Sequence, residues 1–530
     1  MLLSLLHGQN ITNSGLNNII KLPTTYIKRS VKKKVLTDQI ESYKDTALNA
    51  TPAAGGQDSY FLKGLESRHT SYYWGNIPIT NTLKSCETHL DKLPTMVRRG
   101  TGLGGALIYN LPQERFQTTM GVSTNGGIEQ KTSFHAEKNN RFLTGSFACE
   151  NNGGWISTPS RYRQTGIKDR VSSIEGAFQA GHQDNDQKFT ISSINQYTQN
   201  TYDDLYHAVP FSEQEYQRFF NLFGASYERQ NWHAFAAFHS TKTLVSTYPS
   251  QQNISLTASV NKTETDYNFG CFTEQINNHK VYRYDIYGGR KIGFLYPSLR
   301  VIQTERQILC PLEITIDVAP PVKIICGNAY HLPDQVQRFD PQFGNFDLKP
   351  ECNQHCHIVH SWGGSNWTVN QTLFINHIKD MISFSFEKMA YKNCGTLNSI
   401  DIDQSIGYEG FDRYKIGFAH TYCVLDGSEP ILRRPSWKLL MWQRFHLSED
   451  TFVDLKTHFK SSCLDGERIE FSKHVKMPGV FLLDLSTTHT LNKNWTVLCE
   501  VKNLTNQHYE NPCGFLAKGI EAWVRLVYTV

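Results

Sequence analysis

One turn and the strand that follows it set the fold of this chain, and they begin with Gly344-Asn345-Phe346-Asp347-Leu348-Lys349-Pro350-Glu351. The glycine, asparagine and proline of this octet interrupt any helix. Its charged residues Asp347, Lys349 and Glu351 favour water or a polar headgroup layer. The sequence therefore predicts a polar turn here, with a β-strand starting directly after it.

Alternating apolar and polar residues surround this turn over most of the chain. Residues 254–261 are apolar at every even position, and residues 282–286 repeat the rhythm, which is typical of strands with one apolar and one polar face. Residues 228–231 read as a short hairpin turn, whereas residues 199–215 and 465–477 read as long loops. Short turns that alternate with long loops are typical of an outer-membrane β-barrel.

The chain ends on a strand. One face of it carries Val530, Tyr528, Leu526, Val524 and Ala522, and the other carries Thr529, Val527, Arg525 and Trp523. A terminal strand without a trailing tail favours a barrel that closes by pairing its last strand with its first.

Bulk composition narrows the class of protein. The 53 basic and 49 acidic residues give a net charge of only +4, which does not favour nucleic acid as a partner. No apolar run reaches the roughly 20 residues of a membrane-spanning helix. The mean hydropathy of -0.44 suits barrel strands, and the 12% aromatic content suits interface girdles. An all-β transmembrane antiparallel barrel is predicted, with an aromatic-rich soluble β protein as an alternative.

Motifs for catalysis are not found in the sequence. The glycine-rich residues 100–105 are not preceded by a buried strand, and Asn110-Leu111-Pro112 stops any helix after them, so a nucleotide-binding loop is not predicted. No serine-nucleophile elbow or zinc-binding His-Glu-x-x-His helix occurs. The chain is not predicted to be an enzyme.

Four ordered motifs in the second half of the chain resemble those of one family. The opening octet resembles the "GNPxLKPE" signature of TonB-dependent outer-membrane receptors, with Phe346 in place of a proline, and residues 327–333 resemble the "G-x-A-F-x-x-P" that precedes it. Residues 432–435 resemble the "L-x-R-R-P" turn of the cobalamin-receptor branch, and residues 503–510 resemble the C-terminal "NLFDKxYE". The resemblance implies a bacterial outer-membrane barrel of about 22 strands around a plug domain.

The first part of the chain resembles the plug of that family. Residues 61–79 are similar to "xIRGLGxxHTLVLIDGVPI", with Lys63 replacing arginine, and residues 97–110 are similar to a shortened "VLRGPxSxLYGxxAxGGVINI". The predicted organisation is a leader or unstructured N-terminus at 1–19, a shortened plug domain at 20–112 and the barrel at 113–530.

The resemblance also implies a function. A TonB-dependent transporter binds a scarce small-molecule ligand, namely cobalamin, a ferric siderophore or haem, and its energy-coupling partner TonB pairs with a short extended peptide, for which residues 17–30 are a weak match. The candidate ligand-binding residues are Asn81, Lys84 and His89 at the plug apex and Trp362 as a long-loop aromatic. The lipid bilayer is the other partner. The alternative is an uncoupled barrel acting as a pore or a surface structural protein.

Cofactors are not predicted, although two sets of residues raise the question. Strand alternation places Cys352, Cys356 and His360 on one face and His355 and His357 on the other, which argues against a tetrahedral metal site. Most of the cysteines are expected to be small apolar residues. Calcium is an alternative in extracellular loops. Its candidate ligands are Asp184-Asn185-Asp186 and Asp203-Asp204.

Overall fold

The computed structural model describes residues 48–530, except for 53–57, 63–64, 66, 80–81, 92–102, 104, 163–167, 204–212, 246–247, 264–266, 277–280, 320, 341, 386–387, 411, 427–430, 468–469 and 471–472. The predicted leader at 1–19 and residues 17–30, the weak match to a coupling peptide, lie outside the described residues. All described residues belong to one compact unit, Gln39–Val530.

Six short strands form the first part of the described chain: β1 (Leu48–Pro52), β2 (Asp58–Leu62), β3 (Thr70–Trp74), β4 (Ile77–Ile79), β5 (Glu87–Asp91) and β6 (Gly105–Asn110). β1 and β2 pair with each other, and the other four form one sheet in the order β4-β3-β6-β5. β3 and β6 are parallel, whereas the remaining pairs are antiparallel. We call this part of the chain the plug.

The rest of the chain is a closed antiparallel barrel of 22 strands. Its first half contains β7 (Phe116–Ser123), β8 (Ile128–Lys138), β9 (Arg141–Asn151), β10 (Arg170–Gln183), β11 (Gln187–Asp203), β12 (Glu213–Arg229), β13 (Trp232–Val245), β14 (Tyr248–Thr263), β15 (Tyr267–Ile276), β16 (Val281–Arg290) and β17 (Leu295–Thr304). The two-residue β18 (Ile308–Leu309) lies in the next connection, where β17 also pairs directly with β19.

The second half contains β19 (Leu312–Ala319), β20 (Val322–His331), β21 (Glu351–Gly363), β22 (Trp367–Ser385), β23 (Ala390–Glu409), β24 (Arg413–Asp426), β25 (Trp437–His446), β26 (Thr451–Lys460), β29 (Val480–Thr490), β30 (Trp495–Lys502) and β31 (Glu521–Thr529). A short helix, α1 (Gln335–Phe339), lies between β20 and β21. The hairpin of β27 (Cys463–Gly466) and β28 (His474–Met477) lies between β26 and β29 and forms its own sheet.

The barrel closes as the sequence predicts, because β31 pairs with β7 from Trp523 opposite Ser123 to Thr529 opposite Gln117. The two predicted faces of this strand are confirmed: Val524 is 51% exposed on the outside, whereas Val527 is 1% exposed on the inside. This strand therefore presents an apolar outer face and a buried inner face.

The outer surface of the barrel is apolar. On β14, Leu256 and Val260 are exposed on the outside, whereas Ser255, Thr257 and Ser259 are buried on the inside, as the alternation in residues 254–261 predicts. The same arrangement recurs around the wall, and an exposed apolar band of this kind is the lipid-facing surface of a transmembrane barrel. Within the described residues, no helix has the length and apolar character needed to cross a membrane.

The two ends of the barrel differ in their connections. At one end, here called the short-turn rim, the strands are joined by tight turns such as 184–186, 230–231, 364–366 and 410–412. At the other end, the long-loop rim, the connections include 152–169, 332–350, 461–479 and 503–520. The predicted hairpin at 228–231 is confirmed. The loops predicted at 199–215 and 465–477 are shorter in the structure than in the prediction, because strands occupy part of each range. β11 and β12 extend the barrel wall to Asp203 and from Glu213, and the 465–477 stretch holds the β27–β28 hairpin.

Candidate functional site

The plug packs against two segments of the lumen wall. One apolar cluster joins plug residues such as Trp74 and Leu107 to Ile194 and Phe220 on the inner face of β11 and β12. A second cluster joins Leu65 and Leu103 to wall residues on β20 to β23. Since these side chains are almost completely buried, apolar burial holds the plug inside the barrel.

Glu351 anchors the plug to the second wall segment. Its carboxylate accepts a hydrogen bond from Arg68 Nη2 at 2.7 Å, lies 2.6 Å from His69 Nε2, and accepts the backbone N–H of Ile382 at 2.6 Å. Glu351 and His69 are both 0% exposed. The expectation that Glu351 lies in water or a headgroup layer is therefore wrong, because two plug side chains replace the water; Asp347 and Lys349 are exposed, as predicted.

Glu175, on the inner face of β10, anchors the plug to the first wall segment. Its carboxylate accepts the backbone N–H groups of Lys84 and Ser85, each at its closest within 2.9 Å, together with the Ser85 hydroxyl. Gln196 donates a further bond at 2.9 Å. The carboxylate therefore holds plug residues 84–85 by accepting hydrogen bonds from consecutive backbone N–H groups, as a bound anion does. We call plug residues 82–86 the apical segment.

The apical segment lies in the half of the barrel near the long-loop rim. The Lys84 ammonium is 3.1 Å from Glu150, and Glu150 is one residue from the end of β9 where the long 152–169 connection begins. The Lys84 and Glu150 side chains are 24% and 29% exposed. At the other end of the plug, Asn76 contacts His233 beside the 230–231 turn. The plug therefore reaches from the short-turn rim into the long-loop half.

Of the four sequence-predicted binding residues, the structure describes the side chains of two, Lys84 and Trp362, and these two lie apart. Lys84 lies in the apical segment, Asn81 lies outside the described residues, and His89 belongs to β5, where its side chain is not described. The expectation that Trp362 belongs to a long loop is wrong. It lies on β21, one residue before the strand ends at the 364–366 turn, and its side chain is 50% exposed on the outer wall. Such a position suits the aromatic girdle of a barrel.

The candidate metal and calcium residues occupy different places in the fold. Within the described part of the chain, no three His, Cys, Asp or Glu side chains stand close enough to hold a metal ion. Asp184 accepts backbone bonds from Asp186 and Gln187 in a tight turn at the short-turn rim, whereas Asp204 lies outside the described residues. Burial alternates along β21 as expected.

The sequence predicts that most cysteines are small apolar residues, and one pair has a different role. Cys326 and Cys356 form a disulfide between neighbouring strands β20 and β21, where they lie directly opposite each other. Register decides this pairing, because cysteines 30 positions apart in the chain become neighbours only once the hairpin has formed.

Ion pairs and hydrogen bonds join several connections at the long-loop rim, near the place where β31 closes the barrel against β7. Arg161 in the 152–169 connection binds Glu510 in the 503–520 connection at 2.6 Å. Asp465 of β27 accepts bonds from Arg433 and from the Cys513 backbone N–H, both at 2.8 Å. Burial raises the pKa of Glu510, but the contact with Arg161 outweighs burial and holds this pKa below its usual range. This side of the barrel mouth is therefore an ordered surface.

Sequence reasoning missed both anchoring carboxylates. Glu351 was visible as the last residue of the opening octet, but its plug partners are 282 and 283 positions away. Glu175 belongs to no motif. Its only signal in the sequence is its charge, which stands out among the small and apolar residues of β10.

Removal of the Glu175 carboxylate tests the apical anchor. In Glu175→Ala, the buried donors of Lys84 and Ser85 lose their acceptor, at about 1–3 kcal/mol for each unsatisfied group. We expect the apical segment to detach locally and expose Cys86, which is 1% exposed in the wild type. Maleimide labelling of Cys86, followed by peptide mass spectrometry, measures this.

Glu137→Ala is the matched control, because the Glu137 side chain is 60% exposed on β8. It should leave the labelling of Cys86 at the wild-type rate. Equal labelling of Cys86 in Glu175→Ala and in the wild type would show that the apical anchor does not hold the segment.

Comparison with solved structures identifies the fold. The chain is similar to the FrpB iron transporter from Neisseria meningitidis (F5-1 variant), with a TM-score of 0.74 and 11% identity over 93% of this chain and 97% of that one. It is also similar to the siderophore receptor PirA from Acinetobacter baumannii, with a TM-score of 0.74 and 12% identity over 93% and 96% of the two chains.

The copper transporter OprC matches with a TM-score of 0.72 and 11% identity over 92% of this chain and 95% of that one. No protein-family model matches the sequence. At these identities the similarity establishes a plugged barrel of the same fold, at nearly full length.

Proposed function

We propose that this protein is a TonB-dependent outer-membrane transporter, which captures a scarce ligand at the long-loop rim and releases it inward when the plug is remodelled. The observation that carries the proposal is a separate plug held inside a closed barrel by buried carboxylates on two wall segments. A barrel that served only as a scaffold has no need for a domain anchored in its lumen.

The orientation of the barrel supports the direction of transport. Outer-membrane barrels place short turns in the periplasm and long loops outside the cell. The apical segment, in the long-loop half, then faces incoming ligand, and the ordered connections around Arg161 and Glu510 form one side of the entrance. The Asn76 end of the plug faces the periplasm, where TonB acts.

We favour a ferric siderophore or another metal chelate as the ligand. The similar structures are named as transporters of iron and copper and as a siderophore receptor. The Lys84 ammonium, which is partly exposed and pairs with Glu150 at 3.1 Å, is the basic group that an anionic chelate would contact near the entrance. Cobalamin and haem are the other ligands of the resemblance. The candidate residues Asn81 and His89 stay predictions, whereas Trp362 lies on the outer wall at the opposite rim.

A binding panel tests this proposal. The purified protein in detergent is titrated with ferric enterobactin, a ferric hydroxamate siderophore, cobalamin and haem, and quenching of tryptophan fluorescence is followed. We expect saturable binding of one ferric chelate with a dissociation constant of about 1 μM or tighter, which corresponds to roughly −8 kcal/mol. Lys84→Met should weaken that binding and Lys138→Met, on the short-turn rim, should not.

An uncoupled pore is the second candidate function. It is favoured by three inward side chains on β26, β29 and β30 that are partly exposed inside the barrel, namely His458 at 36%, Asp484 at 21% and Lys502 at 43%. Failure of every ligand in the panel, for a protein that migrates as a folded barrel, would favour the pore over the transporter.

A further inference from the structure

Residues 343–349 lie against the β22–β23 hairpin at the long-loop rim. The Phe343 carbonyl accepts the Tyr391 backbone N–H at 3.0 Å, and the Asn345 side chain donates to the Tyr391 carbonyl at 2.9 Å. The Phe343 ring packs on Phe384, with 5.6 Å between the ring centroids. Because both backbone groups of Tyr391 are bound, the segment is attached to β23 much as an added strand would be. We call residues 343–349 the strap.

One side chain of β23 fixes the other end of the strap. The Asn393 amide accepts the Lys349 backbone N–H at 2.9 Å and donates to the Lys349 carbonyl at 3.0 Å. It also donates to the Asp380 carbonyl on β22 at 2.7 Å. A carboxamide has two donors and one oxygen acceptor, and this one uses all three. Asn393 therefore joins the strap, β22 and β23 at one point.

The carboxylate that anchors the plug comes directly after this point. Glu351 follows Lys349 by two residues, and it accepts the backbone N–H of Ile382 at 2.6 Å. Ile382 is the residue opposite Asn393 in the β22–β23 ladder. One pair of opposed residues therefore holds both the strap, through Asn393, and the anchor, through Ile382.

The β22–β23 ladder is irregular beside this contact. Asp380 and Gly395 have φ angles of 55° and 33°, in the left-handed region, and neither is paired in a register that continues on both sides of them. A residue other than glycine in this region is strained and persists where its surroundings hold it. Asn393 binds the carbonyl of the strained Asp380 and the backbone of Lys349, so it also fixes the local shape of β22.

The strap has an exposed side as well. Phe346 is 55% exposed, and the Arg306 guanidinium lies 3.9 Å from the centroid of its ring. Leu348, in contrast, is 4% exposed. A short piece of chain therefore connects a side chain that is open to solution at the long-loop rim with Glu351, which is buried against the plug.

We propose that Asn393 is the positioning residue of the plug anchor. By holding the Lys349 backbone on the hairpin, Asn393 keeps the Glu351 carboxylate within reach of its plug partners. Pro350 lies between Lys349 and Glu351, and its ring fixes φ, so a shift of the strap is passed on to the carboxylate. Movement of the strap at the long-loop rim then loosens the plug.

This role rests on the proposed transport function, because it describes how the plug of such a transporter is controlled from outside the cell. A ligand that contacts the exposed side of the strap acts on Glu351 and, through it, on the Arg68 and His69 end of the plug. The apical segment, which is held by Glu175, is a separate contact.

A double-mutant cycle tests the proposal. Plug unfolding is followed by protease cleavage across a urea titration in the wild type, Asn393→Ala, Glu351→Ala and the double variant. We expect Asn393→Ala to lower the midpoint of the wild type by about 1 M urea, because its hydrogen bonds to Lys349 and Asp380 are lost. In the Glu351→Ala background, the same substitution should leave the midpoint unchanged.

Asn398→Ala is the matched control. Asn398 is an exposed asparagine of the same strand, and its side-chain contact is with His377, at 2.6 Å, away from the strap. It should keep the midpoint in both backgrounds. Asn345→Ala removes the other attachment of the strap and should behave as Asn393→Ala does. It carries the cycle if heat-dependent migration in gels shows that Asn393→Ala forms no barrel.

Two results would overturn the proposal. One is an unchanged midpoint when the strap is detached in the wild-type background. The other is an equal decrease in both backgrounds, which is expected of a loop that stabilises the protein without acting through Glu351. The cycle uses neither ligand nor TonB, whereas the detergent panel measures ligand binding, so failure of the positioning role and failure of the transport function are distinguishable.

Discussion

Replacement of Glu351 by alanine should release the plug at a much lower urea concentration than the wild type. The substitution leaves Arg68 and His69 without the carboxylate that they share, and it leaves the Ile382 backbone N–H without its acceptor. Breaking a buried ion pair by removal of one partner costs about 3–5 kcal/mol. Protease cleavage of the plug across a urea titration, with the barrel fragment followed on gels, measures the change in the plug-unfolding midpoint.

Asp347→Ala is the matched control, because Asp347 belongs to the same octet but is exposed. It should leave the midpoint unchanged. Glu351→Gln should fall between the two, since it keeps a hydrogen-bond acceptor but loses the charge. Identical midpoints for Glu351→Ala and Asp347→Ala would contradict the role of Glu351 as an anchor of the plug.

Replacement of Arg525 by methionine should weaken the seam where the barrel closes. Arg525 on β31 contacts Glu129 on β8 and lies 2.8 Å from Glu500 on β30. Gly121 lies between Arg525 and Glu129 on β7, and a Cβ at that position would stand 2.9 Å from the Glu129 Cγ and 3.0 Å from the Arg525 Cγ. Arg525→Met removes the cation that Glu129 contacts and one of the two cations beside Glu500, which also has Lys502 at 3.7 Å, at a cost of about 3–5 kcal/mol.

The temperature at which the folded barrel changes its migration in gels measures that loss. Arg525→Met should convert to the unfolded form at a clearly lower temperature than the wild type. Arg141→Met, which alters an exposed arginine at a tight turn, should not. A barrel that keeps its wild-type conversion temperature in Arg525→Met would show that backbone pairing of β31 with β7 closes the seam without the ion cluster.

The wall of the barrel could be predicted from the sequence because its signal is local. Alternation along residues 254–261 and along the last strand determines which side chains face outward, and the structure confirms both. The opening octet likewise marks the start of β21, which begins at Glu351. Each of these features depends on residues within one strand and its turn.

The contacts of the lumen could not be predicted in the same way. The partners of Glu351 lie 283 and 282 positions away along the chain, and the Cys326–Cys356 pair depends on strand register. Trp362 was misplaced for a related reason: an aromatic residue near glycines suits a loop as well as the outer end of a strand. The register of a strand, and the rim at which the strand ends, become known only when the strands are paired.

Ligand uptake by cells tests the central claim most directly, namely that the anchored plug is opened by energy coupling. Cells that produce this protein as their only receptor are given iron-labelled ferric enterobactin and, separately, labelled cobalamin, in strains with and without TonB. If the protein is a TonB-dependent transporter, one ligand accumulates inside cells of the strain with TonB. In the strain without TonB, the same ligand binds to the cells but does not accumulate. Equal accumulation in both strains, or none in either, would contradict it.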